Sequence, residues 1–151
     1  MILKLLDDRR EVLGVSLGGL WIGNSESEMQ APGGAVLNVA QDLPSYRGWP
    51  STEAMHVGLI DGPGNEISAY CAAVLALDAL LHRHNVLVYC HTGGRSLAVV
   101  LLYLCATSDR SWVSWLGALE ERVDSELPPV NRIHQDVIPE VLRRLSWLRK
   151  S

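Results

Sequence analysis

The chain alternates between two hydrophobic periods. "EVLGVSLGGLWIGN" reads as two short strands separated by glycines. "SESEM" after it predicts a short helix with Ser25 as N-cap. "GGAVLNVAQD" is a buried strand, with Gly33 and Gly34 marking its entry and Ala35, Val36, Leu37, Val39 and Ala40 apolar. "DLPSYRGWPS" is a loop. "EAMHVGLI" is a further strand that ends at the turn signal "DGPGN". From Ile67 to His84 the period becomes helical, with Ala72, Leu75, Ala76, Ala79 and Leu80 at spacings of three and four.

"NVLVYC" is continuously apolar, as befits the centre of a parallel sheet covered on both faces. "RSLAVVLLYLCATS" predicts a buried helix, and "SWVSWLGALEERV" a helix capped by Ser111. "LPPVN" breaks the chain, and Asn131 caps a last helix to about Leu148. Strands alternating with helices predict an α/β fold: a central, mostly parallel sheet with helices on both faces. No repeat or linker divides residues 1–151, so a single domain is expected.

Composition removes several classes of function. Hydrophobic residues make up 48% and charged residues 20%, a globular balance. The apolar run from Leu97 to Ala106 is too short to cross a bilayer. "ILKLLDDRRE" turns charged too soon for a secretory signal, so a cytoplasmic protein is expected, with no membrane partner. Net charge is −4 and the cations are scattered, so no nucleic-acid partner is expected. "LRRLSWLRK" reads as the solvated face of the last helix. Cys71, Cys90 and Cys105 are too few for a disulfide framework or a zinc site. Cys71 and Cys105 fall in apolar helical patterns and read as small hydrophobes; a resolving partner for Cys90 is the alternative. His56, His82, His84 and His134 show no metal-type pairing and read as surface histidines. No metal or organic cofactor is expected.

The chemistry concentrates in "VYCHTGGRS", Val88 to Ser96. Cys90 ends the central strand, and Arg95–Ser96 opens the next helix. Ligands bind where the strands of an open α/β sheet end, and a helix N-terminus offers free N–H groups and partial positive charge. Gly93 and Gly94 let backbone amides turn inward. Such a cradle favours a cysteine thiolate, which is a nucleophile. The amides of His91, Thr92, Gly93, Gly94 and Arg95, with the planar Arg95 fork, suit a phosphoryl group. The His91 imidazole could also lean toward the mouth. Ser96 can hydrogen-bond the sulfur and help it leave. The bland reading, a structural glycine turn around a buried cysteine, leaves Arg95 without a task. Asp61 and Asp42 each follow a strand; both are candidate acids, and both could be ordinary turn residues.

These segments, in order, resemble the dual-specificity branch of the protein tyrosine phosphatases. The resemblance is carried by "GGLWIGN", "VLNVAQDLP", "HVGLIDGPGNEISAY", "NVLVYC" and "LPPVNRIHQ". It implies a cysteine-phosphatase-like fold, a cysteinyl-phosphate intermediate, and Asp61 as general acid. The implied substrates are phosphotyrosine, phosphoserine or phosphothreonine in a phosphorylated protein, or a small phosphomonoester. The chain departs from the family twice. Tyr89 stands where that family has His, and the four residues between Cys90 and Arg95 are one fewer than usual. The short loop also resembles that of the rhodanese sulfurtransferases, which would place a persulfide on Cys90. The segments around the loop lack that family's entry motif. A catalytically weak phosphate binder is the third reading.

Overall fold

The computed structural model describes residues 2–6, 10–12, 15–26, 34–46, 48 and 51–150. A five-stranded sheet is built from β1 (Ile2–Leu6), β4 (Leu20–Gly23), β5 (Ala35–Ala40), β6 (Glu53–Leu59) and β7 (Val86–Tyr89). Its order is β1-β4-β7-β5-β6. β7 runs parallel to β4 and β5, and β5 parallel to β6; only the β1–β4 pair is antiparallel. The sheet is therefore mixed and mostly parallel, as expected. β7 is central and all four of its residues are buried, which explains its unbroken apolar sequence.

The helices are α1 (Ile67–Leu81), α2 (Gly94–Ala106), α3 (Trp112–Arg122), α4 (Arg132–Asp136) and α5 (Ile138–Arg144), followed by a 3-10 turn at Leu148–Lys150. Strand alternation divides the sheet into two faces. Leu20, Ile22, Leu37, Val39, Val86 and Val88 point into the main core, where α1, α2 and the later helices pack. Val36, Leu87 and Tyr89 point the other way, against Ile2, Trp21, Leu43 and Tyr46. The sheet is thus flanked by helices, with the described ones gathered on the first face. Strand and loop side chains close the second. From Arg95 to Ala106 every residue of α2 is buried. No described helix is long and apolar enough to cross a membrane.

Several local expectations change. "ILKLL" is a strand, β1, on the sheet edge. "EVLGVSLGGLWIGN" holds three strands: β4 and the small hairpin of β2 (Arg10–Val12) and β3 (Val15–Leu17). Ser25 and Glu26 form a turn, with Glu26 N–H donating to Asn24 Oδ1 (3.1 Å). The rest of the expected "SESEM" helix, and Gly33, lie outside the described residues. α1 buries Tyr70, Ala73, Val74, Ala76, Leu77, Leu80 and Leu81, while Ala72 and Ala79 are exposed. Ser111 caps α3, its hydroxyl accepting from Ser114 N–H (3.2 Å). Asn131 caps α4 by accepting from Ile133 N–H (3.0 Å). The last helix is interrupted at Val137, two residues before Pro139. The C-terminal cations include surface pairs of Arg143 and Arg144 with Glu140.

Candidate active site

Cys90 follows the last residue of β7 and is fully buried. Two backbone amides reach its sulfur: Gly93 N–H at 3.0 Å and Ser96 N–H at 3.4 Å. Both donors belong to the first turn of a thirteen-residue helix or its N-cap, so the sulfur sits at a helix N-terminus. The Ser96 hydroxyl lies 3.5 Å from the sulfur, 3.0 Å from the Gly93 carbonyl and 3.3 Å from the Gly23 carbonyl. It has one proton for three acceptors. A small rotation moves that proton from a carbonyl to the sulfur, the motion needed by a group that assists thiolate departure.

The two loop glycines serve different needs. Gly93 has φ +102°, a left-handed conformation that L side chains resist. Gly94 is helical, and a Cβ there would stand 2.8 Å from the Pro129 carbonyl oxygen. The first is required by its backbone angle and the second by space, whereas the sequence suggested one reason for both. His91 and Thr92 are exposed at the mouth. The His91 carbonyl accepts from Ser25 N–H (3.2 Å), which ties the loop to the end of β4.

Arg95 is only 3% exposed. Its Nη1 donates to the Leu59 carbonyl at the end of β6 and to Asp42 Oδ1, each at 2.7 Å. Both of its hydrogen bonds to described residues use Nη1; a guanidinium's Nε–Nη2 edge is the geometry that grips two oxygens of one anion. Asp42 is 52% exposed. The Arg95 hydrogen bond holds its carboxyl below the usual carboxylate range, against the opposing effect of burial. Asp42 lies in the turn after β5, and its carboxylate pairs with Arg95.

Asp61 is the second residue of the loop after β6, two residues beyond the Leu59 carbonyl that holds Arg95. It is half-exposed, and its Oδ1 accepts from His134 Nε2 at 3.2 Å. His134 itself is buried, which corrects its reading as a surface histidine. The signal was present: His134, Ile138, Val141, Leu145 and Leu148 recur at spacings of four, three, four and three, and all are buried.

Cys71 and Cys105 do not join the site. Burial pushes both thiols up, Cys105 to about 11. Cys105 lies eleven residues along α2 from Gly94, or about 16 Å at the helical rise. A disulfide needs Cα atoms within about 7 Å. Among the described residues no group of three His, Cys, Asp or Glu side chains could hold a metal ion.

This architecture is that of the dual-specificity-type cysteine phosphatases. The solved structures it matches include a mouse putative dual specificity phosphatase complexed with zinc tungstate, 24% identical with a TM-score of 0.63 and 85% of each chain covered. Human DUSP28 matches at 18% identity and TM-score 0.63, over 87% of this chain and 90% of that one. The Yvh1 phosphatase domain from Chaetomium thermophilum matches at 16% identity and TM-score 0.60, over 97% and 95%. At these identities the likeness establishes the fold. No protein-family model and no curated relative matches the sequence.

Proposed function

We propose that this protein hydrolyses phosphomonoesters through a cysteinyl-phosphate. The observation that carries the reading is the buried Cys90 sulfur held by the Gly93 and Ser96 amides at a helix N-terminus, with a buried arginine, Arg95, in the first turn of the same helix. The Cys90 thiolate attacks phosphorus and the ester P–O bond breaks opposite it. Loop amides and the Nε–Nη2 edge of Arg95 take the phosphoryl oxygens as charge shifts onto them. Asp61 gives its proton to the departing oxygen. Water then attacks the thiophosphate, Asp61 takes its proton, and the S–P bond breaks to release inorganic phosphate. The Ser96 hydroxyl turns toward the sulfur as its charge returns.

The Asp42 carboxylate offsets part of the positive charge of Arg95. That favours a substrate with one phosphoryl group, on a protein side chain or a small alcohol, over a polyanion. The test is a pair of assays on the unaltered protein: aryl phosphate hydrolysis, with trapping of phosphate on Cys90, and sulfur transfer from thiosulfate to cyanide. Hydrolysis with a Cys90-linked phosphate supports the reading. The four-residue spacing between Cys90 and Arg95 gives sulfur transfer its claim. A Cys90 persulfide with thiosulfate turnover and no ester hydrolysis would establish that function instead.

A further inference from the structure

Asp61 stands at the surface, yet one of its oxygens is fixed from inside. His134 Nε2 lies 3.2 Å from Asp61 Oδ1, and Tyr70 Oη lies 2.7 Å from His134 Nδ1. Asn65 Nδ2 donates to Tyr70 Oη at 3.2 Å. One proton arrangement satisfies every partner with a neutral imidazole: Asn65 donates to Tyr70, Tyr70 to Nδ1, and Nε2–H to Asp61. The phenol keeps its proton, because burial, and secondarily the Asp61 charge, push Tyr70 up against the effect of Asn65. Asn65 also grips the backbone just before Asp61, its Oδ1 accepting from Ile60 N–H (2.8 Å) and its Nδ2 donating to Ile60 O (2.7 Å). Carboxyl and backbone are thereby held by one connected set of side chains.

We propose that His134 is the positioning residue for Asp61. It turns Oδ1 into the protein and leaves Oδ2 to carry the proton exchanged with substrate and water. The inference rests on the phosphatase reading with Asp61 as acid. It deepens that reading, because the Nε2–H bond is stronger to a carboxylate than to a carboxylic acid. The bond therefore strengthens as Asp61 gives up its proton, which stabilises the transition state of a step with a poor leaving group.

The test compares phenyl phosphate, a poor leaving group, with nitrophenyl phosphate, a good one. His134→Phe keeps a ring and loses the donor. It is expected to cut kcat on phenyl phosphate about tenfold, the value of one charge-assisted hydrogen bond. On nitrophenyl phosphate the loss should be severalfold smaller, with KM unchanged for both. His134→Gln, which returns an N–H near the Nε2 position, should recover part of the loss. In the Asp61→Asn background, His134→Phe should cost nothing further, since both act through one carboxyl. Equal loss on both esters, or an additive double mutant, overturns the proposal. If His134→Phe does not fold, Tyr70→Phe makes the same comparison with His134 in place, and the same selective loss is expected. Selectivity in Asp61→Asn but in none of the His134 and Tyr70 variants overturns this inference alone. Absence of selectivity in Asp61→Asn, or no hydrolysis by the unaltered protein, overturns Asp61 as acid and this proposal with it. Nitrogen–proton correlation NMR reads the imidazole without turnover: His134 should carry its proton on Nε2, and a proton on Nδ1 alone would also overturn the inference.

Discussion

Asp42→Ala removes the carboxylate that meets the buried Arg95 guanidinium at 2.7 Å. Breaking a fully buried pair costs about 3–5 kcal/mol, because a charge is left inside without its partner. An exposed pair contributes roughly 0–1 kcal/mol. Here the cation is buried, the carboxylate is half in water, and the Leu59 carbonyl still accepts from Nη1 after the change. An intermediate loss of about 2 kcal/mol is expected. For a domain of this size that lowers Tm by roughly 4–8 °C. Asp42→Asn keeps an acceptor and should lose about half as much.

Acidification provides the internal control for the Asp42 pair. Its carboxyl is depressed in the folded protein relative to the ordinary 3.8. Its contribution is therefore present in full above that value and is lost as pH falls through the folded one. The gap between the unaltered protein and Asp42→Ala, read by urea unfolding, should be constant from neutrality to about pH 5 and shrink below about pH 4. A Tm within about 1 °C of the unaltered protein's, or a gap undiminished in acid, would refute the ion-pair account. Asp42→Asn should also slow good and poor leaving groups alike, since Asp42 serves Arg95 and not the leaving oxygen.

Cys90→Ser is expected to abolish turnover while inorganic phosphate still binds, since a serine hydroxyl is not ionised near neutrality and the amides remain; calorimetric titration with phosphate and an aryl phosphate assay check both halves. Arg95→Lys should cost at least about a hundredfold in kcat, because a lysine cannot hold Leu59 O and Asp42 while presenting a two-pronged edge to the anion. A near-normal rate would remove Arg95 from the phosphoryl site. One glycine inserted between Gly94 and Arg95 restores the commoner phosphatase spacing, yet should lower kcat on an aryl phosphate, because it pulls Arg95 out of register with its two acceptors.

The loop from Cys90 to Ser96 is the most legible part of the chain because everything it needs is local: strand end, glycines, arginine, helix start. What the sequence concealed depends on strand order and helix phase. Asp42 and Asp61 each follow a strand, and nothing local tells which carboxylate approaches Arg95. The answer comes from the placement of β5 and β6 to one side of β7. α1 is apolar on nearly every side and rich in alanine, so several phases fit its sequence equally well; the chosen one exposed Ala72 and Ala79. β1 is hard to read because a short leucine-rich segment running into charge carries little period-two signal, and a bulge near Leu5 disturbs its register further. Metal-type spacing carries no information on the burial of His134, whereas the apolar rhythm of Ile138, Val141 and Leu145 places it inside.

The shortened loop and the Asp42 pair have a common physical meaning. A ring one residue shorter has one amide fewer to bind an anion and one fewer to hold its own shape. Neighbouring elements supply the shape from outside: Gly23 O from β4 reaches Ser96, Ser25 N–H reaches His91 O, and Leu59 O and Asp42 reach Arg95. Each contact comes from the carboxyl end of a strand or the turn just beyond it, the side of an open α/β sheet where sites form. The price is charge: Asp42 offsets part of the positive potential that Arg95 would otherwise offer an anion at the mouth. A site built this way is only modestly cationic, and on the phosphatase reading binding should then depend on close fit of a single phosphoryl group more than on long-range attraction.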